Sequence, residues 1–290
     1  MKDFPIPVVA VGPGSQPEED EALQYLPLPA SMMTFALPVL NEEAAPALMA
    51  AACSVVEQLR DRMEAAPLGS PAIPVIELQE METEVVRLLN QTMGEGEVSI
   101  SVRGSSAYHI QETVFAGVWR LHEFAADGRL VRDAIMACAI PPIVTQWAQA
   151  DVSLDCTMPE KTPGIMNALS VLTEVVGKAR AYKAGDAAHV VNLTLLPMSP
   201  EDMECLPLTL GVGAVTILSR GYGNCRITST RLPNVWWVQY FNSMDTLILN
   251  TLEVSDVPEV AQASKEDYED SIARLGEWLQ VMQEPERLGA

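Results

Sequence analysis

Apolar positions recur along this chain with two different periods, and the changes of period mark its elements. Leu48, Ala52, Val55, Leu59 and Met63 fall at helical spacing, as do Ile165, Leu169, Leu172 and Val176. Asn41 before Glu42-Glu43, and Thr162 before Pro163, read as the starts of these two helices. Lys178, Arg180 and Lys183 crowd the end of the second helix, where cations favour the carbonyl end of the helix dipole. Each helix leads to a short apolar run, Ile73–Leu78 and His189–Leu196. A further helix follows at about 80–92 and at about 199–209, the latter opened by Ser199-Pro200-Glu201-Asp202. The period then falls to two, with Val98, Ile100 and Val102 alternating with Glu97, Ser99 and Ser101. Further strands are predicted at 106–113, 116–124 and 129–138, with Ala126-Asp127-Gly128 as a hairpin turn, and again at 214–220, 224–230, 234–242 and 246–254. A last helix near 265–282 places Ile272, Leu275, Trp278 and Leu279 on one face.

The two series read as copies of each other. Met93-Gly-Glu-Gly-Glu-Val-Ser-Ile-Ser-Val-Arg-Gly104 returns as Leu210-Gly-Val-Gly-Ala-Val-Thr-Ile-Leu-Ser-Arg-Gly221, an offset of 210 − 93 = 117. The same offset, without a gap, aligns Pro46 with Pro163, Leu78 with Leu195, Trp119 with Trp236 and Pro141 with Pro258. The predicted fold class is therefore α+β with an internal tandem repeat. Each copy is helix, strand, helix and a four-stranded antiparallel meander, and a C-terminal helix closes the chain. Five segments result: an extended proline-rich acidic arm (1–40), copy one (41–145), a linker (146–162), copy two (163–262) and the closing helix and tail (263–290). Trp147, Leu154 and Met158 in so short a linker predict close packing of the copies.

Charge narrows the functional classes. The chain has 290 residues, 18 Lys+Arg against 39 Asp+Glu, a net charge of −21, and 48% apolar residues. So apolar a chain folds rather than remaining an acidic coil, and so acidic a one lacks the basic face that nucleic acid or anionic lipid requires. Prolines 5, 7 and 13 break the apolar start, which reads as no signal peptide, and the longest apolar run, Ala134–Val144, contains Pro141-Pro142. These features predict a cytoplasmic protein without membrane insertion. Five scattered cysteines (53, 138, 156, 205, 225) include no C-x-x-C pair, and His109, His122 and His189 stand apart, so no cofactor and no metal site is predicted.

The motifs point to structure and binding rather than to catalysis. A dinucleotide loop runs strand, glycines, helix; here Gly94-x-Gly96 and Gly211-x-Gly213 follow a helix and precede a strand, as a helix C-cap does. Arg103 and Arg220 end the first meander strands, placed either to pair with a carboxylate at the turn or to bind a partner. Trp119 and Trp236 share a column and read as core anchors, whereas Trp237 and Tyr240 have no aromatic counterparts (Arg120, Glu123) and are open to burial or to partner binding. Glu112 and His109 sit three apart on one strand and therefore face opposite ways. No Ser/His/Asp or Cys/His arrangement emerges, so no catalytic residue is predicted.

Ordered along the chain, Gly12-Pro-Gly-Ser-Gln16, Gly94-Glu-Gly-Glu-Val98, Ile110-Gln-Glu112 and Gly117-Val-Trp-Arg120 resemble the HupH/HyaF hydrogenase expression proteins. So do Asn192-Leu-Thr194, Gly221-Tyr-Gly223, Asn234-Val-Trp236, Pro258-Glu-Val260, Glu266-Asp267 and Asp270-Ser271. The resemblance implies an accessory, chaperone-like protein in maturation of an uptake nickel–iron hydrogenase. Its implied partners are the iron–sulfur small-subunit precursor with its twin-arginine signal peptide, and a thioredoxin-like hydrogenase accessory protein. The family offers no established active site. Candidate partner-binding residues are accordingly Arg103, Glu112, Arg220, Tyr222, Asn234, Trp237 and Tyr240. Two other classes stay open: an iron–sulfur or metal-handling scaffold using Cys138, Cys205 and Cys225, and an enzyme of cofactor assembly.

Overall fold

The computed structural model describes residues 45–160, 162–221 and 223–283. The arm and the helix start at Asn41 lie outside these residues. Along the first half run α1 (Pro46–Ala65), β1 (Val75–Glu77), α2 (Thr83–Met93), β2 (Val98–Arg103), β3 (Ala107–Glu112), β4 (Val118–Phe124) and β5 (Leu130–Ala137). A short helix, α3 (Pro142–Ala148), follows, spanning the end of what reads in sequence as copy one and the start of the linker. The second half has the same order: α4 (Ala168–Ala181), β6 (His189–Asn192), α5 (Pro200–Leu210), β7 (Val215–Ser219), β8 (Asn224–Ser229), β9 (Val235–Phe241) and β10 (Leu247–Val254). Helix α6 (Lys265–Gln283) closes the described chain. The fold is α+β.

All ten strands join one antiparallel sheet in the order β1-β5-β4-β3-β2-β7-β8-β9-β10-β6. At its centre β2 pairs with β7 so that Ile100 lies opposite Ile217 and Val102 opposite Val215. Because 217 is 100 + 117, the pairing is self-complementary, like an isologous contact between subunits. At the two ends of this pair, the Arg103 N–H donates to the Ala214 carbonyl (2.9 Å) and the Arg220 N–H to the Glu97 carbonyl (3.1 Å).

Alternation along the strands sends side chains to two faces. One face is covered by helices in two separate groups. α1, α2 and α6 bury Ile76, Val118 and Ile135 of the first half, and α4 and α5 bury Val191, Val235 and Leu252 of the second. The other face holds one core common to both halves, in which Ile100, Trp119 and Leu121 join Ile217, Ile227 and Trp236 beneath α3 and the turn at Glu259–Ala261. Trp119 donates to the Cys138 carbonyl (2.9 Å) and Trp236 to the Ser255 carbonyl (3.2 Å), so each indole buries its ring without stranding its N–H. Helix α6, although it follows the second half, packs on α1 of the first through Tyr268, Leu275, Leu279 and Met282. No helix among the described residues is long and apolar enough to cross a membrane.

Three expectations need correction. The offset of 117 holds from α2 onward, where Val85, Leu88, Leu89 and Met93 match buried Asp202, Cys205, Leu206 and Leu210. In the first helix, however, the buried set Ala52, Val55, Val56, Leu59 and Met63 matches Ala168, Val171, Leu172, Val175 and Ala179, an offset of 116. In the first strand, Val75 pairs with Met136 and Val190 with Glu253, so Val75 corresponds to Val190, an offset of 115. Leu78 thus matches buried Leu193, while Leu195 falls in a one-turn 3-10 helix and is 80% exposed. Secondly, α4 begins at Ala168 rather than beside Pro163, because Gly164 takes a positive φ of 98° and breaks the helical path. Thirdly, close packing of the halves runs through the common core, to which Trp147 contributes; Leu154 and Met158 are exposed.

Candidate functional site

The seven candidate residues do not converge on one place. Arg103, at the end of β2, lines a shallow cleft of about 280 Å³ with Gly104, Ser105, Trp147, Asp151 and Arg231. Neither Arg103 nor Arg231 forms an ion pair among the described residues. Arg220 lies at the opposite end of the central strand pair. The glycines after the two arginines have separate reasons: a Cβ on Gly104 would meet the Trp147 ring at 2.0 Å, and one on Gly221 the Glu97 carboxylate at 2.0 Å. Tyr222 lies outside the described residues.

Glu112 is buried at the end of β3, where its Oε1 accepts the Gly117 N–H at 3.0 Å. Burial pushes its carboxyl up to about 7, and Glu97 and Asp267 add to the rise against the Gly117 hydrogen bond. His109, on the same strand, is exposed on the opposite face. Asn234 takes a left-handed φ of 59°, in the column where the first half has Gly117 at 76°, and its Oδ1 accepts from Gln149 at 2.6 Å. Trp237 packs half-buried over the α4/α5 core and donates to Asn250 Oδ1 at 2.5 Å. Tyr240 packs on the other face beside Cys225; burial pushes its hydroxyl up to about 12, and neighbouring Cys225 adds to the shift.

A polar row that the sequence reading passed over lies on the helix-covered face. Strand register sets His109 opposite His122 and His122 opposite Asp133. Arg120, on the same face, holds the row together: Nη1 meets Asp133 at 2.7 Å, Nε donates to Asn90 at 2.7 Å, and Nη2 lies 3.3 Å from His122 Nε2. Burial, then the Arg120 charge, lowers the His122 pKa, so the ring is neutral at pH 7 and its Nε2 accepts from Arg120. With its guanidinium committed to partners on three elements, Arg120 ties α2 to the sheet. The signal was present in sequence: a β3–β4 hairpin centred near Phe115 pairs 109 with 122.

Among the described residues no three His, Cys, Asp or Glu side chains converge as a metal site. Cys205 lies in the core under α4 and α5, Cys225 in the core of the other face, and Cys138 packs at the margin of that second core beyond the end of β5. Burial pushes the Cys138 and Cys225 thiols up to about 12, which keeps them protonated at neutral pH. The glycine motif caps helices: Gly94 (φ 57°) and Gly211 (φ 64°) end α2 and α5.

Residues 49–154, and again 165–282, match the family described as "HupH hydrogenase expression protein, C-terminal conserved region". The chain is 47% identical to hydrogenase expression/formation protein HoxQ of Cupriavidus necator, over 96% of this chain and 98% of that one. It is 42% identical to hydrogenase expression/formation protein HupH of Rhodobacter capsulatus, over 97% and 99% of the two chains. With hydrogenase-1 operon protein HyaF of Escherichia coli it shares 31% identity over 94% and 96%. A solved structure of hydrogenase expression protein HupH from Thiobacillus denitrificans aligns with 38% of this chain and 92% of that one, at 29% identity and a TM-score of 0.36. The chain belongs to the HupH family of hydrogenase expression proteins.

Proposed function

We propose that this chain is a non-catalytic accessory protein in the maturation of an uptake nickel–iron hydrogenase. It works in the cytoplasm, holding the iron–sulfur small-subunit precursor before twin-arginine export, together with a thioredoxin-like accessory protein. The observation that carries this reading is end-to-end similarity to proteins named for hydrogenase expression and formation. A net charge of −21 supports it, since an acidic surface attracts a basic signal peptide and speeds encounter. The matching order of elements and burial in the two halves further leads us to read them as copies of one unit, joined through β2 and β7.

Co-purification tests the reading. The tagged chain, isolated from cells making the hydrogenase, is expected to bring down the small-subunit precursor with its signal peptide. Recovery of the large subunit alone, or of neither subunit, would overturn it. Binding should weaken several-fold between low and physiological salt, because exposed charges are screened beyond roughly 8 Å at that ionic strength.

A further inference from the structure

The two edges of the ten-stranded sheet are finished differently. At one edge, the Ala137 N–H reaches the Pro74 carbonyl (3.0 Å) and the Leu78 N–H reaches the Asp133 carbonyl (2.8 Å). Every second residue of β1 therefore bonds inward to β5, and Val75, between them, points its N–H and carbonyl outward. That outward carbonyl is capped by Arg62 Nη1 of α1. Pro74 directly precedes the strand, β1 is only three residues long, and the side chain of its last residue, Glu77, is held by Arg132 at 2.6 Å. A short strand, a proline and a side-chain cap are the devices that keep a sheet edge from pairing with another chain.

At the other edge β6 is also short, at four residues, but among the described residues it has neither a proline before it nor a side-chain cap on an outward carbonyl. The Asn250 N–H turns away from β9 to Thr194 Oγ1 at 2.8 Å. By alternation Leu252 and Val254 also bond outward, to their register partners Val191 and His189 of β6. Val190 is then left with its N–H and carbonyl facing away from the sheet, and Asn192 with its N–H, the Asn192 carbonyl being taken by the first turn of the 3-10 helix Leu193–Leu195. No proline stands between Gly164 and Pro197. The place of Arg62 is taken on α4 by Lys178, whose side chain makes no hydrogen bond or ion pair among the described residues. Val190 on β6 is 51% exposed, and Leu195 in the following 3-10 turn (80%) and Ile248 on neighbouring β10 (56%) are exposed too. The surroundings are acidic on balance: Glu174, Asp186, Glu253 and Asp256 lie about β6 against Lys178 and Lys183.

We infer that β6 is a docking edge that takes an extended segment of a partner protein as an eleventh strand, in which apolar residues alternate with basic ones. Main-chain bonds to Val190 and to the Asn192 N–H would supply affinity, and the exposed Val190 side chain and local acids would select the side chains. A second copy of this chain is disfavoured as occupant because each copy carries −21. The inference holds whichever protein supplies the strand, so its failure and that of the small-subunit reading are separate outcomes.

The test uses the full chain with two capped ten-residue peptides, one alternating valine with arginine and one valine with glutamate. The basic peptide is expected to bind and to slow hydrogen exchange at the Val190 and Asn192 amides, leaving Val191 unchanged; the acidic peptide should not bind. Val190→Pro removes only an outward N–H, which an edge strand tolerates, and should weaken binding at least tenfold with an unchanged thermal midpoint. Val190→Lys, which leaves the main chain intact, should weaken the basic peptide through like charge. Binding undiminished by either variant, no protection at these amides, or a dimer abolished by Val190→Pro would overturn the proposal.

Discussion

Asp202 shows how much one side chain can organise. It is fully buried on α5, and its carboxylate accepts the N–H groups of Met166 (2.9 Å), Asn167 (3.0 Å) and Ala168 (2.8 Å), capping α4 from outside, as well as that of Ser199 (3.0 Å) in its own capping box. Burial alone would raise its pKa, but these backbone donors prevail and hold it at about 2. An acid with a depressed folded pKa stabilises above its unfolded value, so this contribution is lost as pH falls from about 4 to about 2. Asp202→Asn should cost about 2–3 kcal/mol in urea denaturation at pH 7, and much less at pH 2.5. Glu112 has the opposite sign. Raised to about 7, it favours the folded state while protonated, fully below about 4.5, and loses that contribution as pH rises through 7. Glu112→Gln keeps an acceptor for Gly117, so its stability relative to the parent should rise by about 1–3 kcal/mol between pH 5 and pH 8. A thermal midpoint difference independent of pH would refute this.

At the scale of elements, the Gly-x-Gly motif has two separate tasks. The first glycine ends the helix in a backbone conformation, φ near 60° with ψ near 180°, that a side chain disfavours. The second lets the next strand cross close by. A Cβ on Gly96 would lie 2.2 Å from the Thr113 carbonyl oxygen, and one on Gly213 would lie 2.3 Å from Ser229 Oγ. Gly96→Ala and Gly213→Ala should each cost about 1–3 kcal/mol by chemical denaturation, Gly96→Ala the more because it meets rigid backbone first. Helix order and the meander strands were legible in sequence to within a few residues, because Val98-x-Ile100-x-Val102 and the matching segments have clear periods. The start of α4 was not legible. It depends on Gly164 and on the Asp202 carboxylate, 34 residues away from the N–H of Ala168 that it caps.

For the whole molecule, the central β2·β7 pair and the common core of the far face make the halves one folding unit, and α6 ties the chain's end to its first helix. Cutting between them would expose Ile100 and Ile217 along a full-length open edge, and would strip the α1 face that Leu275 and Leu279 cover. Residues 45–150 or 151–283 produced alone should therefore show no cooperative unfolding, whereas the full chain should unfold in a single calorimetric transition. Two separable transitions would show that the halves are independent. The candidate site was less legible than the fold: Arg103 stands out by its place in the repeat, Glu112 and Asn234 by the resembling motifs and Trp237 by having no aromatic counterpart, none of which says what surrounds a residue. Asn234 turned out to supply a left-handed turn and Trp237 a half-buried hydrogen bond, while the Arg120–His122–Asp133 row went unnoticed because its members belong to two strands.

The sequence by itself determined what is local and periodic: the α+β class, the order of elements, the helix-capping glycines and the paired tryptophans. Each of these follows from spacing within one segment or from one column compared with another. Tertiary structure alone decided that the halves share a sheet, that α6 returns to the first half, and that among the described residues one sheet edge is capped by a side chain while the other is not. Those outcomes depend on contacts between residues apart in the chain, such as Arg62 over the Val75 carbonyl, against no partner among the described residues for the Lys178 side chain. An offset can shift from 117 to 115 within a few residues without leaving a mark in the pattern, yet it sets which side chain meets the core and which meets the solvent.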